Sequence, residues 1–190
     1  EQESKTDYKV DTSIRVFYDK EQDKCLYNRM AMRWDGDMAP EVDSKGLTFT
    51  SAPFFPVYEN IMAGCVSVDL WVTSTAPDGD FIAYLEEVLP DGTSRYLKDG
   101  EIRASHRTKG SNPQWERLGA TWHTSMTEDV NRCLAEGLSR PTHLQFAIEP
   151  IVWQFSRGSR LRVTITCADT HSYQHPMYDE KDLPVISLYQ

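Results

Sequence analysis

Two segments of the chain alternate apolar and polar residues one by one. In 66–73 every second residue is valine or leucine, and in 160–167 every second residue is leucine, valine, isoleucine or cysteine. A period of two is the pattern of a strand that buries one face and exposes the other. The pattern predicts two half-buried antiparallel strands, with Trp71 on the outer face of the first and with Thr164 and Thr166 on the outer face of the second.

Shorter apolar runs predict further strands between these two segments. They cover 81–89, 95–97, 102–106 and 143–149, and they are bounded by the turn-forming triplets Pro77-Asp78-Gly79, Pro90-Asp91-Gly92 and Lys98-Asp99-Gly100. Several short strands at this spacing favour an all-β sandwich or barrel. Residues 14–18 are a weaker strand candidate. One short helix is predicted over 127–135, with Thr127 as its N-cap and with Glu128 and Asp129 in its first turn.

The sequence from Leu47 onwards carries a series of motifs that resembles a known family. The motifs are DGDFIAYLEEV at 78–88, PDG at 90–92, DG at 99–100, IRASHR at 102–107, LQFAIEP at 144–150 and GSRLRVTIT at 158–166. This series resembles the C-terminal domain of the X-prolyl dipeptidyl-peptidase and cocaine esterase (CocE/NonD) family of serine hydrolases. Ser159 departs from the family pattern, in which a histidine commonly precedes the arginine of the last motif.

The resemblance implies both a fold and a role. In this family the C-terminal domain is a jelly-roll β-sandwich of the galactose-binding-like type. It packs on a separate α/β-hydrolase domain, which carries the nucleophile, acid and histidine. The resemblance therefore implies a non-catalytic accessory domain within a dipeptidyl-peptidase or an esterase. We expect 1–46 to be a connecting segment that runs onto the sandwich and 47–190 to form the jelly roll. The implied partner is a catalytic domain in the same polypeptide, and a second copy of the chain is a further candidate.

The residue patterns agree that this chain is not an enzyme on its own. An α/β-hydrolase places its nucleophile in a G-x-S-x-G turn, and no two of the ten glycines are four positions apart. A Ser-His-Asp triad is defined by geometry, and the chain does have the residue types for one. The alternation of strands with long helices that builds a parallel sheet is missing, however, and this favours the non-catalytic interpretation.

Charge, cysteine and histidine patterns narrow the range of partners and cofactors. The net charge of −9 opposes binding to nucleic acid or to an anionic membrane. The four cysteines lack the C-x-x-C spacing of zinc sites. Cys65 and Cys167 lie beside or within the alternating segments, and we interpret them as free cysteines that are buried as small apolar groups. His171 and His175 have the spacing of two ligands on one helix face, but Pro176 favours a loop there. We therefore predict neither a metal nor a cofactor.

Aromatic residues provide the main candidates for an interaction site. They are Trp115, Trp122, Trp153, Tyr173 and Tyr178. Gathered on one face, they would suit a free-standing carbohydrate-binding module, which is the alternative function. Tryptophan and tyrosine are also enriched at protein interfaces, and we favour positions in the interface with a hydrolase domain or in the core over a sugar platform.

Five residues are singled out as candidate contacts to the hydrolase domain. The loop 113–125 carries Trp115, Trp122 and His123, and it is the candidate wall of the substrate entrance. Arg103 and Arg107 belong to the IRASHR motif, and we interpret them as structural pins or as anchors between the domains.

Overall fold

The computed structural model describes residues 4–14, 18–19, 24–25, 40–54, 60–170, 173, 178–179 and 181–189. Within these residues the strands are β1 (Lys5–Lys9), β2 (Tyr18–Asp19), β3 (Lys24–Cys25), β4 (Leu47–Thr50), β5 (Ile61–Ser74), β6 (Asp80–Val88), β7 (Ser94–Arg103), β8 (Thr142–Gln154), β9 (Arg160–Thr166) and β10 (Val185–Tyr189). The helices are α1 (Pro40–Lys45), α2 (Pro113–Arg117) and α3 (Thr127–Glu136), with a 3-10 helix at Ala104–His106.

Eight of the described strands form two antiparallel sheets that pack face to face. Sheet 1 has the order β1-β10-β5-β8, and sheet 2 has the order β4-β9-β6-β7. Strands β2 and β3 pair separately as a short ribbon. When the eight strands are counted along the chain, the two orders become 1-8-3-6 and 2-7-4-5, which is jelly-roll connectivity. The prediction of an all-β jelly-roll sandwich is confirmed.

The main core lies between the sheets and is built on the predicted alternation. In β5 the side chains of Val68 and Val72 are buried, whereas Trp71 is exposed. Phe146 of β8 pairs with Val68 and belongs to the same buried cluster. Cys167 lies in this cluster as a free thiol, as the sequence predicts. Burial of alternate apolar side chains is thus what holds β5 and β8 against the opposite sheet.

The triplet Lys98-Asp99-Gly100 is not a turn, and this sequence prediction is wrong. Strand β7 runs through it without interruption. Asp99 is buried and accepts hydrogen bonds from the hydroxyls of Tyr96 and Tyr173. Gly100 faces the backbone of β8, where a Cβ atom would lie 2.5 Å from the carbonyl oxygen of Ala147. The glycine therefore serves a close approach between the two sheets, a known use of glycine inside strands.

The outer face of sheet 2 is covered, which corrects the prediction of an exposed threonine face. Thr164 and Thr166 are buried, and all nine residues of β6 are buried. A second apolar cluster lies over this face, formed by Ile14, Val42, Ile82, Tyr84 and Tyr96, with Tyr173 packed against it. Threonine suits either face of a sheet, so its presence alone does not reveal a covering layer.

The segment before Leu47 contributes to both sheets. Strand β1 pairs with β10 at the edge of sheet 1. Helix α1 places Val42 in the second apolar cluster, next to sheet 2. Of the strand candidate at 14–18, residues 15–17 lie outside the described part of the chain. A boundary between a connecting segment at 1–46 and a jelly roll at 47–190 stays a prediction.

Helix α3 agrees with the predicted helix in position but not in its cap. It spans Thr127–Glu136, with Glu128 and Asp129 in the first turn as predicted. The N-cap is Met126, which makes no side-chain capping bond, so Thr127 is the first helical residue and the predicted cap is wrong. Asp129 instead accepts a hydrogen bond from the Thr124 hydroxyl at 2.7 Å, which fixes the loop that precedes the helix.

Candidate docking surface

Helix α2 presents Trp115 beside Trp122. Pro113 begins the helix, and the side-chain oxygen of Asn112 accepts hydrogen bonds from the backbone N–H groups of Gln114 and Trp115 at 3.1 and 3.5 Å. The Trp115 and Trp122 rings have centroids 5.9 Å apart and are tilted by 38°. They are 38% and 40% exposed, so the pair presents a large apolar area to solvent.

A short antiparallel pairing holds this loop in place. The N–H of Gly110 donates to the carbonyl of Trp122 at 3.0 Å, and the N–H of Thr124 donates to the carbonyl of Thr108 at 2.9 Å. A Cβ atom on Gly110 would lie 3.3 Å from the Trp122 ring and 2.9 Å from the Thr124 methyl. The Trp122 side chain therefore packs directly against the glycine backbone, which makes the loop a fixed platform.

The His123 side chain joins the loop to strand β8 by a hydrogen bond. Its Nε2 lies 2.8 Å from the backbone carbonyl of Gln145, on the edge strand β8 of sheet 1. Burial lowers the pKa of His123, so the neutral ring donates Nε2–H to this carbonyl. The bond covers part of an otherwise open strand edge. His123 thus helps to hold the loop segment that carries Trp122.

Exposed apolar side chains concentrate in two neighbouring regions. Among the described residues, ten large apolar side chains are exposed. Five lie in the segment 113–134 and four lie on the outer face of sheet 1: Trp115, Leu118, Trp122, Met126 and Leu134, then Ile61, Trp71, Val152 and Val185. The tenth, Phe49, lies on β4 of sheet 2. Contiguous apolar exposure marks an interaction surface, and within this set the Trp115 and Trp122 rings are the pair that lies side by side.

A chain of side-chain contacts joins the two regions. The Trp71 ring stacks on His143 with centroids 5.0 Å apart, and His143 Nε2 lies 2.7 Å from the Asp69 carboxylate. Gln145 donates to the same carboxylate at 3.2 Å and accepts from Lys109 Nζ at 2.5 Å. Lys109 is bridged to His123 through the backbone, next to Trp122. We call this continuous face, from Trp71 through Lys109 to Trp122 and Trp115, the open surface.

The two predicted arginines form their described bonds inside the domain. Arg103 grips the Asp80 carboxylate with two hydrogen bonds of 2.7 and 2.9 Å, and this partner raises its pKa. A cavity of about 180 Å³ lies beside the pair. Arg107 donates to the carbonyl of Cys133 at 3.3 Å and to Glu136 at 2.6 Å, which ties the 3-10 helix to α3. These bonds are those of structural pins, and an anchoring role toward another domain stays a prediction.

The five aromatic residues of the alternative function do not share one face. Trp153 is packed against the main core and donates Nε1–H to Glu87 at 3.2 Å. Tyr178 also packs against the main core, and Tyr173 packs against the second cluster. Only the Trp115 and Trp122 pair remains as an exposed platform. Trp71, which the sequence predicts on the polar face of its strand, is also an exposed aromatic residue, and it is not among these five candidates.

The described part of the chain holds neither a candidate metal site nor a candidate membrane-spanning helix. No group of three or more histidine, cysteine, aspartate or glutamate side chains there could hold a metal ion. His171 and His175 lie outside the described residues. None of the helices described is long and apolar enough to cross a membrane.

Comparison with known proteins decides the family. The family model for the X-Pro dipeptidyl-peptidase C-terminal non-catalytic domain matches residues 2–182. The chain belongs to this family. It is 35% identical over 131 residues to an inferred serine esterase of Mycobacterium bovis, covering 69% of this chain and 20% of that protein. The chain thus spans about a fifth of the length of the curated relatives it matches first.

Solved structures agree on the fold. An aminopeptidase from a marine-sediment Thaumarchaeota archaeon superposes with a TM-score of 0.61 at 13% identity, covering 99% of this chain and 31% of the aminopeptidase. A CocE/NonD family hydrolase from Staphylococcus aureus gives 0.56 at 14% identity, covering 99% and 34%. At such low identity these matches show a shared sandwich fold. The family that the chain belongs to is described as non-catalytic, which agrees with the lack of a G-x-S-x-G motif in the sequence.

Proposed function

We propose that this chain is the accessory domain of an α/β-hydrolase that cleaves acyl bonds, either esters or Xaa-Pro peptide bonds, and that the open surface packs on the catalytic domain. Family membership supports a non-catalytic role. The relatives are several times longer than the chain, so a catalytic domain in the same polypeptide is the natural partner. In this role the domain shapes substrate access at the junction.

The observation that carries the proposal is the asymmetry between the two outer faces. Sheet 2 is covered by side chains of the same chain, with Val42 and Ile14 buried over it. In the described residues the open surface has no such cover, and the outer face of sheet 1 and the segment 113–134 together hold nine of the ten large exposed apolar side chains. Tryptophan pairs in rigid loops are typical centres of protein interfaces, where burial of one such ring contributes about 2 kcal/mol or more.

Removal of either tryptophan tests this proposal. In the full-length protein, Trp115→Ala and Trp122→Ala are each expected to weaken interdomain packing by about 2 kcal/mol. Differential scanning calorimetry would show this as an earlier, separate transition of the accessory domain. We also expect the preference between small and bulky acyl substrates, measured as kcat/KM, to shift. The far-UV circular dichroism of the sandwich stays unchanged, because both rings lie outside its core.

Phe49→Ala is the matched control. Phe49 is 39% exposed, between the 38% of Trp115 and the 40% of Trp122, but it lies on sheet 2, away from the open surface. Its removal is expected to leave both the interdomain transition and substrate preference unchanged. If all three variants behave alike, the open surface is not the docking face. If the tryptophan variants alter only the sedimentation of an oligomer, the occupant of the surface is a second copy of the chain.

A further inference from the structure

Glu86 is a buried carboxyl group on the outer face of sheet 2. Glu86 as a whole residue is 0% exposed to solvent. The Thr164 hydroxyl lies 2.7 Å from Oε1, and the Ser94 hydroxyl lies 2.5 Å from Oε2. In the strand register Glu86 stands opposite Arg162 of β9 and Tyr96 of β7. These two hydroxyls are the side-chain donors to the carboxylate among the described residues, and burial of the charged form carries a large desolvation cost, which protonation removes.

Helix α1 is attached directly above this carboxyl group. Asp43 forms an ion pair with Arg162, and the Thr164 hydroxyl lies 3.3 Å from its other carboxylate oxygen. The Thr48 hydroxyl donates to the Asp43 carbonyl at 3.0 Å. Asp43 and Glu86 therefore share Thr164, and Arg162, which pairs with Asp43, stands opposite Glu86 in the strand register. The attachment of α1 and the charge of Glu86 depend on the same two side chains.

The charge of Glu86 determines how the Thr164 hydroxyl hydrogen is shared. The Thr164 hydroxyl has one hydrogen but lies within reach of two carboxyl groups. If Glu86 is protonated, its O–H donates to Thr164, and Thr164 donates to Asp43. If Glu86 is ionised, it still accepts from Ser94 and Thr164, and Asp43 still accepts from Arg162, but two negative charges then lie on either side of Thr164 in the described structure. Protonation of Glu86 removes the repulsion between these two carboxylates while every member of the cluster keeps a partner.

A rise in pH destabilises the closed position of α1 on sheet 2. Burial raises the pKa of Glu86 from 4.5 to about 7; Asp43 adds to the rise, and Ser94, Thr164 and Arg162 oppose it. A carboxyl group exposed by opening of α1 returns to its ordinary pKa. Closed α1 therefore holds the proton more tightly, and the closed state loses stability as pH rises from about 4.5 to about 7. Above that window Glu86 is ionised in both states and the effect is constant.

We propose that Glu86, Thr164 and Asp43 form a proton-controlled clasp, which holds α1 on sheet 2 while Glu86 is protonated and loosens it once Glu86 ionises. The facing groups among the described residues are Asp43 from α1, Arg162 and Thr164 from β9, and Ser94 and Tyr96 from β7. Because α1 carries Val42, loosening it also uncovers part of the second apolar cluster. The clasp is separate from the open surface, so its test does not depend on the docking proposal.

Hydrogen exchange in residues 40–46 of the full-length protein tests the clasp. Glu86→Gln keeps a polar side chain that accepts from Ser94 and donates to Thr164, but it cannot ionise. At about pH 8 we expect these amides to exchange at least tenfold faster in the wild type than in Glu86→Gln, and at about pH 4, where Glu86 is protonated in both the closed and the open state, nearly equally. Each comparison is made at one pH, so the intrinsic pH dependence of exchange cancels.

Two further variants keep the test decisive. Glu149→Gln alters an exposed carboxylate on β8, in a surface pair with Lys98, and is expected to match the wild type at both pH values. Asp43→Asn removes the competing carboxylate while α1 keeps Val42, and is expected to reduce the pH dependence even if Glu86→Gln folds poorly. Equal pH dependence in wild type, Glu86→Gln and Asp43→Asn, or none in the wild type, would overturn the clasp.

Discussion

Gly100→Ala is expected to destabilise the protein by about 3 kcal/mol or more, because the added methyl group has no room between the sheets. The added Cβ would lie 2.5 Å from the carbonyl oxygen of Ala147 and 2.8 Å from the Cα of Ile148. Both are backbone atoms of β8, in the opposite sheet, so no side chain can rotate to make room. The sheets must separate locally, which opens the packed core between them.

Urea unfolding measures this effect as a lower midpoint with an unchanged slope. Gly92→Ala is the matched control, because it makes the same change in an exposed turn at φ 92° with no atom within 4 Å. There only backbone strain applies, at about 1 kcal/mol. Ala147→Gly should not rescue Gly100→Ala, because the obstacle is the carbonyl and not the methyl group. Equal midpoints for the two alanine variants would contradict the close approach of the sheets.

Glu87→Ala is expected to destabilise the protein by about 3 kcal/mol. Glu87 is buried, and its carboxylate accepts hydrogen bonds from the N–H of Ser156 at 2.6 Å and from Trp153 at 3.2 Å, with Arg95 3.6 Å away. Burial by itself raises the pKa of Glu87, but the bonds from Ser156, Ser159 and Trp153 outweigh it and hold the pKa below its ordinary value. Truncation leaves these donors without their acceptor.

The pH dependence separates Glu87 from its neighbour Glu86. The folded pKa of Glu87 is depressed, so its stabilisation is present above about pH 4.5 and is lost as the pH falls further. The contribution of Glu86 is lost as the pH rises toward 7. Unfolding curves at several pH values should therefore show opposite slopes for the differences between the wild type and Glu86→Gln or Glu87→Ala. Glu149→Ala, an exposed control, should stay within about 0.5 kcal/mol. Parallel slopes would contradict the separate environments.

The sandwich could be predicted because its central strands record burial at short range. In the alternating segment of β5 the inward side chains Val68 and Val72 are buried and Val66 and Leu70 are half-buried, and a period of two in the sequence reports this directly. The covering of sheet 2 could not be predicted in this way, because Ile14 and Val42 lie far in sequence from β6, which they cover. Gly100 was misread for a similar reason. An Asp-Gly pair is typical of a turn, and only the approach of β8 reveals its use inside a strand.

The candidate surface could be predicted in part. Trp115 and Trp122 were identified by residue type, and both prove to be exposed next to each other. Trp153 has the same residue type but satisfies its N–H on buried Glu87, a contact that no local pattern encodes. Trp71 did carry a signal, since a tryptophan on the polar face of an alternating strand is an exposed aromatic ring. The contact path through Gln145 and Lys109 depends on strand register and loop packing, which only the structure gives.

Labelling of the natural gene product tests the accessory-domain account most directly. The polypeptide would be captured from cell extract with an antibody raised against this domain and treated with a fluorophosphonate probe, and the labelled peptide would be mapped by mass spectrometry. The account predicts a band several times larger than 21.8 kDa, with the labelled serine outside the 190 residues described by this sequence. An unlabelled band near 21.8 kDa, or a labelled serine within these residues, would contradict it.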